Sequence, residues 1–316
     1  MRCGALVMTY RRPEILRRTL EIHLAQTRPP DLILVADNGR CDETAEAVRS
    51  LGERSLVYLA MPDNVGPAGA GAHGLGWLLA RDYDWIYWGG DDDPPQTGDI
   101  FAALLSLAQT APDDVAAVGV VGSRWDWRRG EQRRPLDREL VALLEVDVIG
   151  SNQQLWLRRE AVASVGLPEE RFFFGLEEVE YCLRLRRAGF RLLVDGPVMR
   201  EHRLRAGRLG LGPRPRSLLP RQARGSLWRR YYSTRNYIYM MNRLFGRPDL
   251  ARREAAKAAV RCLMALSAGS SYARAFAELQ LAGVRDGYRE RLGRRFLPAL
   301  VENRYQLSGG RGESPA

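Results

Sequence analysis

Cysteine, histidine and lysine are all scarce in this 316-residue chain: four Cys, three His, and Lys257 as the single lysine. Cys3, Cys41, Cys182 and Cys262 lie far apart with no CxxC spacing, which excludes a disulfide framework and a cysteine zinc site and suits a reducing cytoplasm. No run of about 18 apolar residues occurs, so an ordinary transmembrane helix is excluded. Met1–Met8 pass straight into a strand-like run without a signal-peptide pattern, and the expected location is cytoplasmic. No Gly-Lys-Ser/Thr phosphate loop is present. Glycine and proline stand at 31 and 17, which removes collagen-like and wholly disordered readings.

What is there is enough apolar material, 45% of the residues, for a sizeable core in two domains or in one α/β domain with a helical extension. The net charge of +10 is unevenly spread. Residues 1–200 carry 24 basic against 30 acidic side chains (−6), and residues 201–316 carry 24 against 8 (+16). A boundary near residues 200–220 follows.

Short apolar runs at Ala5–Thr9, Leu32–Asp37, Leu56–Ala60 and Trp85–Trp88 read as strands. They alternate with helical stretches at Pro13–Leu24, Glu43–Leu51 and Ala68–Ala80. That alternation predicts βαβ units and a mainly parallel sheet, with ligands beyond the strands' carboxyl ends. Thr9-Tyr10, Asp37-Asn38, Asn64 and Asp91–Asp93 all fall at those ends. Further on, Ala116–Val121, Val146–Ile149 and Gln154–Leu157 read as strands, Ser123–Arg138 as a mobile loop and Glu177–Ala188 as a helix. Val198–His202 reads as a short extended piece, residues 203–225 as a linker or flexible loop, and the chain from Ser226 on as helical.

Three constellations carry chemistry. Asp91-Asp92-Asp93 places mutually repelling carboxylates at one strand end, where a hard divalent cation shared with phosphate oxygens would neutralise them; a solvated acidic turn is the alternative. Glu177, Glu178 and Glu180 follow the aromatic run Phe172-Phe173-Phe174-Gly175. Acids at a helix start complement the macrodipole, and an aromatic-walled carboxylate is also how a general base is desolvated. Asn64-Val65-Gly66-Pro67-Ala68-Gly69-Ala70-Gly71 could cradle an anion at a helix N-terminus, or could serve close helix–sheet packing.

In order along residues 4–202, these pieces resemble the inverting glycosyltransferases of family 2, with their GT-A nucleotide-sugar fold. The likeness is carried by Val7–Pro13, Val35–Gly39, Asn64–Gly69, Asp91–Asp93, Gly150-Ser151-Asn152, Phe173–Glu178, Arg184-Leu185 and Gly189. It is nearest to bacterial galactofuranosyl- and rhamnosyltransferases, which share an aspartate triplet, a later histidine and a segment like Tyr231-Tyr232-Ser233-Thr234-Arg235-Asn236. The resemblance implies a GT-A catalytic domain over residues 1–205, and composition and pattern predict a linker over 206–225, a basic helical region over 226–307 and a disordered tail over 308–316.

It also implies roles. Thr9, Tyr10 and Arg11 would meet the nucleotide base and ribose, Asp37 the base, and Asn64, Gly66 and Gly69 the nucleotide-sugar pocket. Asp91 and Asp92 would join that pocket, and Asp91, Asp93 and His202 would hold Mn²⁺ or Mg²⁺. Glu178 would be the base and Glu177 its neighbour toward the acceptor. Two departures stand out: Arg11 replaces the more usual asparagine, and Glu-Glu replaces Glu-Asp or Asp-Asp. The implied reaction moves a sugar from a UDP or dTDP donor to a hydroxyl of a glycan, lipid-linked glycan or small molecule, with inversion.

The basic tail needs its own account. Residues 226–246 interleave Trp228, Tyr231, Tyr232, Tyr237, Tyr239 and Phe245 with arginines, a pattern expected of contact with an anionic membrane surface, or of a helical cap or homo-oligomer interface. No nucleic-acid-binding motif accompanies the charge, so no nucleic acid partner is expected. Two other function classes compete with sugar transfer. A sugar-phosphate nucleotidyltransferase would need a Gly-rich Arg/Lys loop where Thr9–Pro13 stands. A non-catalytic membrane- or nucleic-acid-binding protein would have no use for carboxylates gathered at several element ends.

Overall fold

The computed structural model describes residues 1–211, 226–266 and 270–297; most of the expected linker and the whole expected tail over 308–316 lie outside them. The chain divides into two compact units: Met1–Glu170 with Glu177–Arg214, and Arg171–Leu176 with Pro215–Ala316.

The first unit is built on β1 (Cys3–Thr9), β2 (Leu32–Asp37), β3 (Leu56–Ala60) and β4 (Trp85–Gly90), all parallel in the order β3-β2-β1-β4. β1 is buried along its whole length, as a central strand covered on both faces must be, and this explains its unbroken apolar run. Helices α1 (Pro13–Leu24), α2 (Asp42–Arg49) and α3 (Gly66–Leu79) connect these strands. α1 begins with Pro13 in its first turn, where a missing N–H costs nothing. The glycines of α3 allow close packing: a Cβ on Gly74 would stand 2.3 Å from a methyl of buried Leu6, and one on Gly71 2.8 Å from the Trp88 ring.

Beyond α4 (Ile100–Thr110) the sheet continues through β5 (Val115–Gly119). β10 (Leu155–Arg158) inserts antiparallel between β4 and β5, β11 (Arg191–Asp195) runs parallel to β5, and β8 (Leu143–Val146) closes the far edge. Tyr87, Phe101, Trp156 and His23 form an aromatic cluster in its core, with ring centroids 5.1–5.4 Å apart.

Two segments differ from expectation. Ser123–Arg138 is not a loop: β6 (Gly122–Asp126) and β7 (Glu131–Arg133) form a hairpin, with β9 (Val148–Ile149) on the other side of β6. The Asp126 carboxylate accepts from the Arg128 and Arg129 N–H groups, Gly130 adopts φ 67°, and buried Trp125 anchors the strand. Val198–His202 is not extended but lies in α7 (Gly196–Arg205), capped by the Asp195 carboxylate, which accepts from the Val198 N–H, with Pro197 in the first turn. His202 therefore stands on a helix. α5 (Arg159–Val165) and α6 (Glu177–Arg187) complete this unit.

The second unit consists of α8 (Trp228–Tyr239), a π-helical turn at Met240–Leu244, α9 (Pro248–Ala265) and α10 (Ser270–Tyr288). Its core holds Tyr231, Tyr232, Phe276 and Leu279 together with Phe173. Part of the aromatic–arginine pattern of residues 226–246 is internal: Tyr231, Tyr232 and Tyr239 are buried and Arg235 is completely so, while Trp228, Tyr237 and Phe245 are half-buried and Arg229 and Arg243 exposed. No described helix is long and apolar enough to cross a membrane.

Candidate functional site

Everything expected of the site, apart from the helical region, falls in the first unit. The parallel register pairs Thr9 with Asp37 and Met8 with Gly90, so β1, β2 and β4 end side by side and present their next residues together. Thr9 Oγ1 donates to Asp91 Oδ2 at 2.6 Å, and the Thr19 hydroxyl donates to the Asp91 carbonyl. Arg12 forks across the triplet, one nitrogen on Asp91 Oδ1 and the other on Asp92 Oδ2 at 3.0 Å.

The three aspartates therefore have different situations. Asp91 is fully buried and held by Thr9 and Arg12; burial pushes its carboxyl up to about 6 against those two partners. Asp92 is exposed on Arg12. Asp93 takes a hydrogen bond from the Asn152 side chain, and burial and its neighbour Asp92 raise its carboxyl.

Asp37 is likewise committed: completely buried, it accepts from the Gly39 N–H (2.7 Å), the Cys41 N–H (3.3 Å) and the Tyr58 hydroxyl (2.8 Å). Asn38 ties the β2 end to the start of α3, donating to the Gly66 carbonyl and accepting from the Val65 N–H. Asn64 accepts from the Gly66 N–H. Gly66 and Gly69 are buried, and a Cβ on Gly69 would strike Val65 at 2.7 Å, so packing alone accounts for that glycine. Tyr10 stays exposed, with the Arg11 guanidinium 5.5 Å from its ring.

A cavity of about 500 Å³ is lined among others by Gly122, Asn152, Glu178, His202, Arg203 and Arg208, with none of Thr9, Asp37 and Asp91–Asp93 in its lining. The 3₁₀ turn Ser151–Gln153 links its parts. The Ser151 hydroxyl donates to Glu178 Oε1, Asn152 reaches Asp93, and Gln154 donates to the Asp93 carbonyl at 3.0 Å. Glu178 and His202, distant in sequence, thus share one cavity, and Asp93 is joined to its wall through Asn152. His202 is half-buried; burial, then Arg208 and Arg205, holds its imidazole below the ordinary value.

The other acids of α6 separate from Glu178. Glu180 is buried and meets Arg184 through two bonds of 2.8 and 3.1 Å, a structural ion pair, while Glu177 is buried in the helix's first turn. Among the described residues no three His, Cys, Asp or Glu side chains gather closely enough to hold a metal ion. Of the expected ligands Asp91, Asp93 and His202, Asp91 is engaged by Thr9 and Arg12. A hard cation bound mainly by diphosphate oxygens needs only one or two carboxylates. Asp93, which unlike Asp91 and Asp92 makes no direct ion pair with Arg12, fits that part. Ser151 and Asn152 were not among the expected site residues; the Gly150-Ser151-Asn152 motif was the available signal.

The profile of "Glycosyl transferase family 2" matches residues 5–166, just over half of the chain. The chain belongs to this family. Galactofuranosyltransferase GlfT1 of Mycobacterium tuberculosis is 32% identical over 200 residues, covering 58% of this chain and 64% of that protein, and its Mycolicibacterium smegmatis counterpart is equally similar. The chain thus spans slightly less than two thirds of the curated relatives it matches. The mannosyltransferase PcManGT of Pyrobaculum calidifontis, solved with GDP-Man and Mn²⁺, shares the fold at a TM-score of 0.54 and 15% identity, over 92% of this chain and 88% of that one. S. aureus TarS 1–349 in complex with UDP gives 0.50 at 13% identity, over 92% of each chain. This family 2 chain therefore has the GT-A architecture expected from its motifs.

Proposed function

We propose that this family 2 member transfers a sugar from a uridine or thymidine diphosphate donor to an acceptor hydroxyl with inversion, Glu178 being the general base. The observation that carries this reading is the position of Glu178: half-buried on the cavity wall, with Ser151 bonded to one carboxylate oxygen. A hydroxyl donating to Oε1 fixes the carboxylate's orientation and leaves Oε2 to take the acceptor's proton as its oxygen attacks the anomeric carbon. Thr9, Tyr10 and Arg11 supply the nucleotide end, Asp37 holds the turn beside it, and Asn152 and Gln154 hold the Asp93 loop.

Mn²⁺ or Mg²⁺ is the proposed cofactor, with Asp93 as its carboxylate and His202, which lines the cavity with Glu178, as the imidazole to test; when bound it would offset charge on the departing diphosphate. The curated relatives are named galactofuranosyltransferases, which makes galactofuranose the first sugar to test. A thermal-shift panel of nucleotide sugars with Mn²⁺ identifies the donor. An anionic membrane surface as the place of the acceptor has its support in the +16 charge of residues 201–316 alone.

Glu178→Gln tests the base. Its neutral amide keeps size and the bond from Ser151, so release of nucleoside diphosphate should fall by about 10²–10⁴-fold while calorimetric donor affinity stays within a factor of about three. A parallel loss of donor affinity, or retained turnover, refutes the assignment.

A further inference from the structure

The cavity that holds Glu178 lies wholly within the sheet unit, and three of its lining side chains have no part in the chemistry described so far. Arg134, Arg203 and Arg208 face it against a single acidic lining residue, Glu178. Among the described residues none of the three pairs with Glu178, whose bond comes from Ser151. Asp137, outside the lining, holds two of them: its Oδ1 accepts from Arg134 Nη2 (3.1 Å) and Arg203 Nη1 (2.5 Å), and its Oδ2 from the Gly210 N–H (2.7 Å). Arg134 Nη2 also donates to the Arg208 carbonyl at 2.6 Å, which ties the segment after α7 to the chain following β7. Arg208 itself has no carboxylate partner among the described residues. With Asp137 and Glu178 both counted, the three guanidiniums still leave one positive charge in excess.

Arg203 is the informative member. It is only 4% exposed on α7, and its Nη1 is used by Asp137 and by the Pro135 carbonyl (3.0 Å), yet its buried Nη2 has no hydrogen-bond partner among the described residues. A charged donor taken out of water and left unbonded carries its full desolvation penalty, so an idle guanidinium nitrogen on a cavity-lining residue marks where a ligand oxygen belongs. Arg134 and Arg208, both exposed, flank it with two further forks. Guanidinium forks match phosphate oxygens bidentately, and a phosphate group offers three such oxygens and nearly two negative charges. Thr9, Asp37 and Asp91–Asp93 do not line this cavity, so the nucleotide end has its own place and the anion met here belongs to the other substrate.

We propose that Arg134, Arg203 and Arg208 form an anion subsite for the acceptor, and that the acceptor is a sugar bearing a phosphate group near the hydroxyl it offers to Glu178. The inference rests on Glu178 being the base, which is what makes this cavity the acceptor's. The phosphate takes no part in the displacement: it is gripped intact while the neighbouring hydroxyl gives its proton to the carboxylate. Arginines that only tie α7 to the chain after β7 would be indifferent to an anion on the sugar.

The test titrates galactose 1-phosphate and methyl galactoside, one sugar with and without the anion, into the full chain saturated with UDP and Mg²⁺, and reads both by calorimetry. Galactose 1-phosphate should bind at least about tenfold more tightly than methyl galactoside. Arg208→Gln, at an exposed position that the fold does not depend on, should remove that preference while UDP affinity stays within about threefold of the parent. Arg203→Lys keeps the charge but has no second nitrogen to offer, and should remove part of the preference. Equal affinity for the two probes in the parent overturns the proposal. A preference that survives in Arg208→Gln places the phosphate on the cation and overturns it too, as does an equal loss of UDP affinity, which makes the arginines part of the donor site. Glu178→Gln run alongside separates the two failures: an active Glu178→Gln sinks the base assignment and this proposal with it. An inactive Glu178→Gln beside a parent with no preference between the probes sinks the anion subsite alone.

Discussion

Asp91, Asp92 and Asp93 are three copies of one side chain that burial and a single arginine turn into three different groups. In the sequence they form one acidic motif, whereas in the fold Arg12 takes two of them and leaves the third to Asn152. Glu178 and the Gly150-Ser151-Asn152 motif could each be singled out, but the bond between Ser151 and Glu178 could not, because a contact between residues 27 apart leaves no periodic trace. Arg11 shows the opposite case, where a departure seen in sequence acquires a backbone reason. Its φ of 53° is left-handed, a region that asparagine enters several-fold more readily than most residues with a side chain. The family's usual asparagine at this place is therefore a conformational fit. Arg11→Asn should raise stability by about 0.5–1 kcal/mol, read from the midpoint of urea unfolding. A lower midpoint would mean that the stacking of Arg11 on Tyr10 outweighs the backbone term.

At the scale of elements, β2, β3 and α1 lie where their apolar pattern puts them, the strands as continuous apolar runs and α1 as a helix burying Leu16, Thr19, Leu20 and His23 on one face. α7 differs from expectation because Val198-Met199 looks strand-like, while the decisive signal is the capping pair Asp195 and Pro197 just upstream. The hairpin of β6 and β7 was hidden by its arginines, whose charged heads stay outside while Trp125 supplies the anchor. The crossing of α8 and α10 was not legible at all, since it depends on glycines four apart facing carbonyls. A Cβ on Gly283 would sit 2.8 Å from the Tyr231 carbonyl oxygen, and one on Gly287 2.7 Å from that of Arg235. Gly287→Ala weighs a helix-propensity gain of about 1 kcal/mol against an overpacking cost of typically 1–3 kcal/mol, with backbone that cannot swing aside. A net loss of up to about 2 kcal/mol is expected in chemical unfolding, whereas Gly98→Ala, with open space around it, should be nearly neutral. A more stable Gly287→Ala would show that the two helices can separate at no cost.

For the whole molecule, the parallel sheet and the polar residues at its strand ends were readable because one physical rule, apolar runs between helices, acts over many residues at once. Single buried ionisable groups obey no such pattern, and His23 is the clearest instance: a histidine on α1 that proves to lie fully inside the aromatic cluster. Its Nδ1 meets the Thr19 carbonyl at 2.7 Å, and burial lowers the imidazole from 6.5 to about 4. Between those values the unfolded chain binds a proton that the folded chain refuses, so this residue's contribution is full above pH 6.5 and is lost as pH falls toward 4. The loss is about 1.4 kcal/mol per pH unit, roughly 3 kcal/mol in all. Asp91 acts the other way, since a carboxyl raised to about 6 takes up its proton earlier in the folded state and gains stability as pH falls. The net slope of the parent protein therefore conceals both, and the informative quantity is a difference. His23→Leu removes one titration and leaves Asp91 untouched, so the stability gap between parent and variant should move in the variant's favour by nearly 3 kcal/mol between pH 7.5 and pH 4.5. Urea unfolding at four or five pH values measures it; a gap that stays constant would mean that the His23 imidazole reaches water in the folded protein.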